Sequence, residues 1–175
     1  MKRMLTAVAL TIFLAAVPAA FGAEGVKFGS VDVQKVLVLS DYGKEAKEQL
    51  SARGNKYEGE KNSREEELKK LKGELEKQSV LLSESARSAK EKDYQQKLKE
   101  YQRFLKDAQE DLQGKNDELT NKIVEEIVKI IQEYGKKNGY SCILVKNDGM
   151  VYLDEKVDLT DEILKAFNAS RKAGK

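Results

Sequence analysis

The 175-residue chain contains no histidine and no tryptophan, one cysteine and one proline. Without imidazole it lacks the one side chain that ordinarily titrates near neutrality, and with it the commonest general base and metal ligand. The lone Cys142 cannot form a disulfide within the chain, and in the apolar run "CILV" it reads as a strand residue rather than a reactive thiol. No P-loop sequence occurs, so the usual nucleotide grip is missing. The acidic groups at Glu65 to Glu67, Glu125/Glu126 and Asp161/Glu162 have no His or Cys beside them, and read as solvated helix faces and first-turn dipole partners. The expectation is a protein without metal, cofactor or catalytic residues. An excess of one charge is also missing: 32 basic residues stand against 30 acidic ones, which argues against a nucleic-acid partner.

Long apolar runs are scarce, and the longest stands at the start. "MKRMLTAVALTIFLAAVPAAFGAEG" has Lys2 and Arg3, an apolar stretch from Ala7 to Val17, and small residues at its end. That is the layout of a secretory signal peptide over residues 1–22, cut near Gly22. The run is shorter than the ~20 residues that span a bilayer. Its removal takes two basic residues and no acidic one, leaving an exported, soluble chain balanced at 30 against 30. Pro18 goes with it, so no proline remains to interrupt a helix.

What remains is dominated by Lys, Glu, Gln, Leu and Ala, with apolar residues at helical spacing. A first seam carries Ala46, Leu50, Tyr57, Leu68, Leu71, Leu75 and Leu82. It has a gap from Glu58 to Glu67, where Lys61 and Arg64 hold the seam positions and Gly54 and Gly59 weaken the helix, so a bent or loosely packed portion is expected. A second seam runs from Tyr94 through Leu98, Tyr101, Leu105, Ala108, Leu112, Leu119, Ile123, Ile127 and Ile130 to Tyr134. Its steps of four from Leu119 to Ile127 form a stutter. "YGKKNGY" ends it, with Gly135 or Gly139 as the left-handed cap residue. Ser83 is a candidate N-cap, and Ser88 with Glu91 a capping box. Two seams and a polar turn predict an antiparallel helical hairpin over 42–139 with its tip near 79–92, the stripe Leu98 to Leu112 facing Leu68 to Leu82 and then Leu50 and Ala46. Residues 23–41 and 140–175 form the base: a strand at Val26 to Val33, a two-stranded hairpin from Ser141 to Leu153 turning at Asn147 to Gly149, and a last helix capped by Thr160. So small a body has exposed edges, which favours association of several copies through Val26, Phe28, Val31, Ile143, Val145, Val151 and Leu153.

"KFGSVDVQKVL" at 27–37, "LSESARSAKEKD" at 82–93 and "MVYLDEKVDLTDEILKAF" at 150–167 resemble, in order and spacing, the OmpH-like (Skp) family of periplasmic chaperones. The resemblance implies an α+β, mostly helical homotrimer: strands of three subunits close a β-barrel body, and three coiled-coil tentacles surround a cavity. There unfolded outer-membrane proteins are held without ATP during transit across the periplasm. Ser30 departs from the family pattern, where a β-branched apolar residue is common, as does Asp41, where proline is frequent.

The client-binding residues expected on such an arm are apolar side chains left outside the seam, Val80, Leu81, Tyr94 and Phe104, and the basic residues of the tip, Lys69, Lys70, Lys72, Lys77, Arg87, Lys90, Lys92 and Lys97. From Lys61 to Lys106 there are 13 basic residues and nine acidic ones, an excess able to attract acidic client loops, an anionic membrane face or lipopolysaccharide. The competing reading is a structural coiled-coil adaptor of the envelope that binds a folded partner along the seam.

Overall fold

The computed structural model describes residues 26–78 and 83–173. The expected signal peptide, Val80 and Leu81 lie outside them. In chain order the elements are β1 (Phe28–Val31), α1 (Val33–Leu39), α2 (Asp41–Gln78), α3 (Glu84–Lys137), β2 (Cys142–Val145), a 3-10 turn (Glu155–Val157) and α4 (Thr160–Ala173).

Burial is concentrated at one end. Val31, Val36, Tyr42, Ala46, Leu119, Ile123, Ile127, Leu159, Ile163 and Phe167 form one apolar cluster. α3 contributes Leu119, Ile123 and Ile127 by steps of four, and α4 contributes Ile163 and Phe167 by the same step, so each helix turns a single stripe into the cluster. Among the described residues none from Lys47 to Asp107 is buried. α2 and α3, 38 and 54 residues long, therefore project as an arm; at ~1.5 Å per residue α2 alone extends about 57 Å.

The joints at the root are specific. Asp32 caps α1 by accepting from the Lys35 N–H at 2.8 Å. Ser40 ends α1 and starts α2: its hydroxyl donates to the Leu37 carbonyl and accepts from the Gly43 N–H, both at 3.0 Å. A side chain at Gly43 would put its Cβ 1.8 Å from the Leu37 carbonyl oxygen, so only glycine permits this close turn between helices. Asp41 donates its N–H to Asn168 Oδ1 at 3.0 Å, a bond that a proline at this position would lose. At the far end of α3, Gly139 takes φ +69° beyond the Asn138 cap, and the Tyr140 N–H reaches back to the Gly135 carbonyl.

The expected β body is corrected by the sheet. β1 and β2 form a two-stranded parallel sheet, Phe28 opposite Cys142 and Val31 opposite Val145, with the whole arm as their crossover. The sheet is not closed into a barrel, and residues 150–153 form no strand, so there is no 141–153 hairpin. The reason lies in where the chain goes after β2. Lys146 Nζ meets Asp158 at 2.7 Å, and the Leu159 N–H donates to the Ser30 carbonyl at 2.8 Å. These bonds draw residues 158–159 to the far side of β1 instead of folding the chain back on β2; Ser30 and Asp158 form a parallel bridge there.

Two local expectations also change. Thr160 begins α4 rather than capping it; its hydroxyl accepts from the Asp32 N–H and donates to Asp158, tying α1 to α4. Ser88 and Glu91 lie inside α3, whose cap is Ser83, accepting from the Ala86 N–H, and Glu91 pairs with Arg87 instead. α2 runs unbroken through Glu58 to Glu67, so the gap in apolar spacing does not interrupt the helix.

Gly43→Ala is expected to lower folding stability by at least about 2 kcal/mol, because the new methyl collides with backbone and not with a side chain that could turn away. Ser30→Ala is expected to act oppositely. Ser30 is fully buried and its Oγ has no hydrogen-bond partner, so removing the hydroxyl should leave denaturant stability unchanged or raise it. Urea titration of both variants checks the pair of signs.

Candidate functional site

The arm is held together by polar bonds between helices more than by burial. Lys90 Nζ reaches Glu74 at 2.7 Å and Lys97 reaches Glu67 at 3.0 Å. The Tyr101 hydroxyl donates to Glu65. Nearer the root the polarity reverses: Arg53 on α2 holds Asp111 on α3, with its Nη2 at 2.6 Å, and the Tyr57 hydroxyl donates to the same carboxylate at 2.8 Å. Hydrogen bonds from Arg53 and Tyr57 hold the Asp111 carboxyl below its ordinary range, and the Lys90 bond does the same for Glu74.

These pairs set a register that corrects the expected facing of the stripe. With Lys97 against Glu67 and Asp111 against Arg53, only its distal end lies level with Leu68. Leu105 and Leu112 instead share a cleft with Gly54, Tyr57, Glu58 and Lys61, the polar gap of α2. The gap is therefore loosely packed.

The expected client-binding residues fall into distinct places. Lys69, Lys70, Lys72, Lys77, Arg87 and Lys92 are exposed on the distal arm. Lys90 and Lys97 are half-buried in the cross-arm pairs, which leaves them less available to a client. Tyr94 is half-buried. Phe104 packs within the hairpin, edge-on to Tyr57 with ring centroids 6.0 Å apart, and the Arg64 guanidinium lies 4.6 Å over its face. Arg53 and Asp111, absent from the sequence-based expectation, join Tyr57, expected only as a seam residue, in a polar triad across the arm. Only their distant pairing, across 58 residues, reveals them.

At the base, Val26, Phe28 and Val145 are exposed, as are Val38, Leu39, Leu144 and Tyr152, and Val151 is wholly so at 100%. Ile143 and Leu153 are half-buried, whereas Val31 is spent in the subunit's own core. Among the described residues no group of acidic or Cys side chains could hold a metal ion, and no helix is long and apolar enough to cross a membrane.

The molecule is a long helical hairpin rooted in a small α/β base, its surface a mosaic of charge and half-exposed apolar side chains. The family model for outer membrane protein (OmpH-like) matches residues 27–167, and the chain belongs to this family of periplasmic chaperones, which are not enzymes. Among solved structures it is similar to a candidate outer membrane chaperone (OmpH-like) from Caulobacter crescentus CB15, with a TM-score of 0.76 and 16% identity over 82% of this chain and 84% of that one. At that identity the likeness is one of fold. No curated protein matches the chain.

Because the Asp111 pKa is depressed in the folded arm, its contribution to stability is present above the ordinary carboxylate value of 3.8 and is lost as pH falls through the depressed one. NMR titration of the Asp111 carboxyl should therefore give a midpoint below the ordinary range. Arg53→Gln should move that midpoint upward, since the largest cause of the shift is gone.

Proposed function

We propose that the protein is an ATP-independent holdase of the periplasm, processed near Gly22, that keeps unfolded outer-membrane proteins from aggregating by enclosing them between the arms of a homotrimer. One observation carries the reading: the arm buries none of its described residues from Lys47 to Asp107, so a surface of two long helices is left for something else to cover. Family membership supplies the class of protein. A chaperone without an energy source needs many weak, reversible contacts, and half-exposed apolar side chains interleaved with charge provide them. The exposed distal lysines supply steering toward acidic client loops, or toward an anionic membrane or lipopolysaccharide, and steering acts on association and fades with salt.

Association is supported by the base. β2 pairs only with β1 among the described residues, and Leu144, Val145, Val151 and Tyr152 are exposed around it. Such edges and apolar side chains are stabilised by contact with other copies.

Diluting a urea-denatured outer-membrane protein with and without the purified mature chain tests the function. Aggregation should fall in proportion to added chain and reach completion near one trimer per client. Binding of native but not denatured protein would instead establish the coiled-coil adaptor. Val145→Asp should shift the light-scattering mass from trimer toward monomer; an unchanged mass would place the interface elsewhere.

A further inference from the structure

The arm is asymmetric where Ala108 packs. On one side of the seam Tyr57, Phe104, Leu105, Ala108 and Leu112 line a cleft of about 400 Å³. The other side of the same seam shares Tyr57, Phe104 and Ala108 but is otherwise bounded by charged side chains, among them Glu60, Arg64 and Asp107. The first side is therefore the more apolar of the two, with Leu105 and Leu112 where the second has charged side chains.

The cleft has two causes in the sequence. Lys61 stands where the seam calls for an apolar side chain, and Gly54 projects nothing, with no atom within 4 Å of where its Cβ would be. The floor is nevertheless fixed. Asp111, gripped by Arg53, holds the Tyr57 hydroxyl, and Phe104 is set between Tyr57 and Arg64. A ligand therefore meets rings already in place, without the entropy cost of ordering them. Glu58 and Lys61 on the rim pair with each other at 3.1 Å, so the rim offers no net charge. Gln113 is engaged with Asp117, which leaves Gln109 as the rim amide without a partner among the described residues.

We propose that this cleft is a subsite for one aromatic or large aliphatic side chain of an extended client, seated on the Tyr57 and Phe104 rings, with the client backbone meeting Gln109. The charge-neutral rim selects against acidic and basic side chains, which would lose water and gain no partner. The proposal rests on the holding function above and names which client side chains the arm takes.

Gly54→Leu fills the cleft from its open side. Gly54 lies inside α2, and Gly139 is the only described glycine with positive φ, so the change also replaces a weak helix former by a strong one. The probe is a fluorescein-labelled Gly-Ser peptide carrying spaced Phe residues, with Ser and Glu in place of Phe as controls. The wild type should bind the Phe peptide, with methyl shifts at Leu105, Ala108 and Leu112. Gly54→Leu should weaken that binding roughly tenfold or more, the share owed to burying one large side chain. Gly54→Ala, a smaller filler, should fall between them and guards against misfolding of the larger variant. Equal affinity of all three proteins, or equal binding of the Glu peptide, overturns the proposal. A change in light-scattering mass with Gly54→Leu also overturns it, because the cleft would then belong to a second copy. Aggregation assays on the same proteins separate the two levels. Suppression by the wild type with peptide binding unaltered by Gly54→Leu leaves the holdase standing and sinks the subsite. Absence of suppression by the wild type sinks both.

Discussion

The structure depends on apolar burial at a single place. Val31, Val36, Ile127 and Ile163 are completely excluded from water, and they come from β1, α1, α3 and α4. Four elements separated by most of the chain length are fixed together there, and the arm hangs from the result. Removing apolar surface from water is the dominant favourable term in folding, so the root carries the cooperative stability while the arm is sustained by its own helical bonds and by exposed polar pairs. Regions with few buried contacts open at low free-energy cost. The arm is therefore the part of the described chain that opens most readily while its root stays folded.

Polar bonds decide how the two arm helices meet. Glu74 with Lys90, Glu67 with Lys97 and Asp111 with Arg53 and Tyr57 fix one register among several that the leucine spacing permits. Individually such pairs contribute little to stability; as a row they select an alignment. The selected alignment sets the Leu105 to Leu112 stripe against a glycine and a lysine, and so leaves an apolar cleft that perfect seam packing would have closed. Specificity of pairing and incomplete packing have the same origin here.

The base shows the same balance between closure and exposure. Hydrogen bonds from Leu159 and the Lys146 to Asp158 pair cover the far side of β1, while the side chains of Leu144, Val145, Val151 and Tyr152 remain in water. Two polar residues at the root are placed in opposite ways. Asp41 gains a hydrogen bond to Asn168, whereas Ser30 places a hydroxyl in the core with nothing to bond.

The sequence by itself determined what depends on near neighbours. The absence of proline after Pro18 and the three and four spacing from Leu98 to Leu112 specify helix, because side chains three and four apart share a face whatever lies opposite. Ser83 as the cap of α3 and Gly139 in the left-handed region follow from groups a few residues away. The family, too, was legible, in three short motifs. Only the tertiary structure decided which strand β2 pairs with, that 150–153 stays out of the sheet, and which α2 residues face Leu105 and Leu112. Each of these is a choice between partners distant along the chain, and periodicity says that a face must be covered without saying by what.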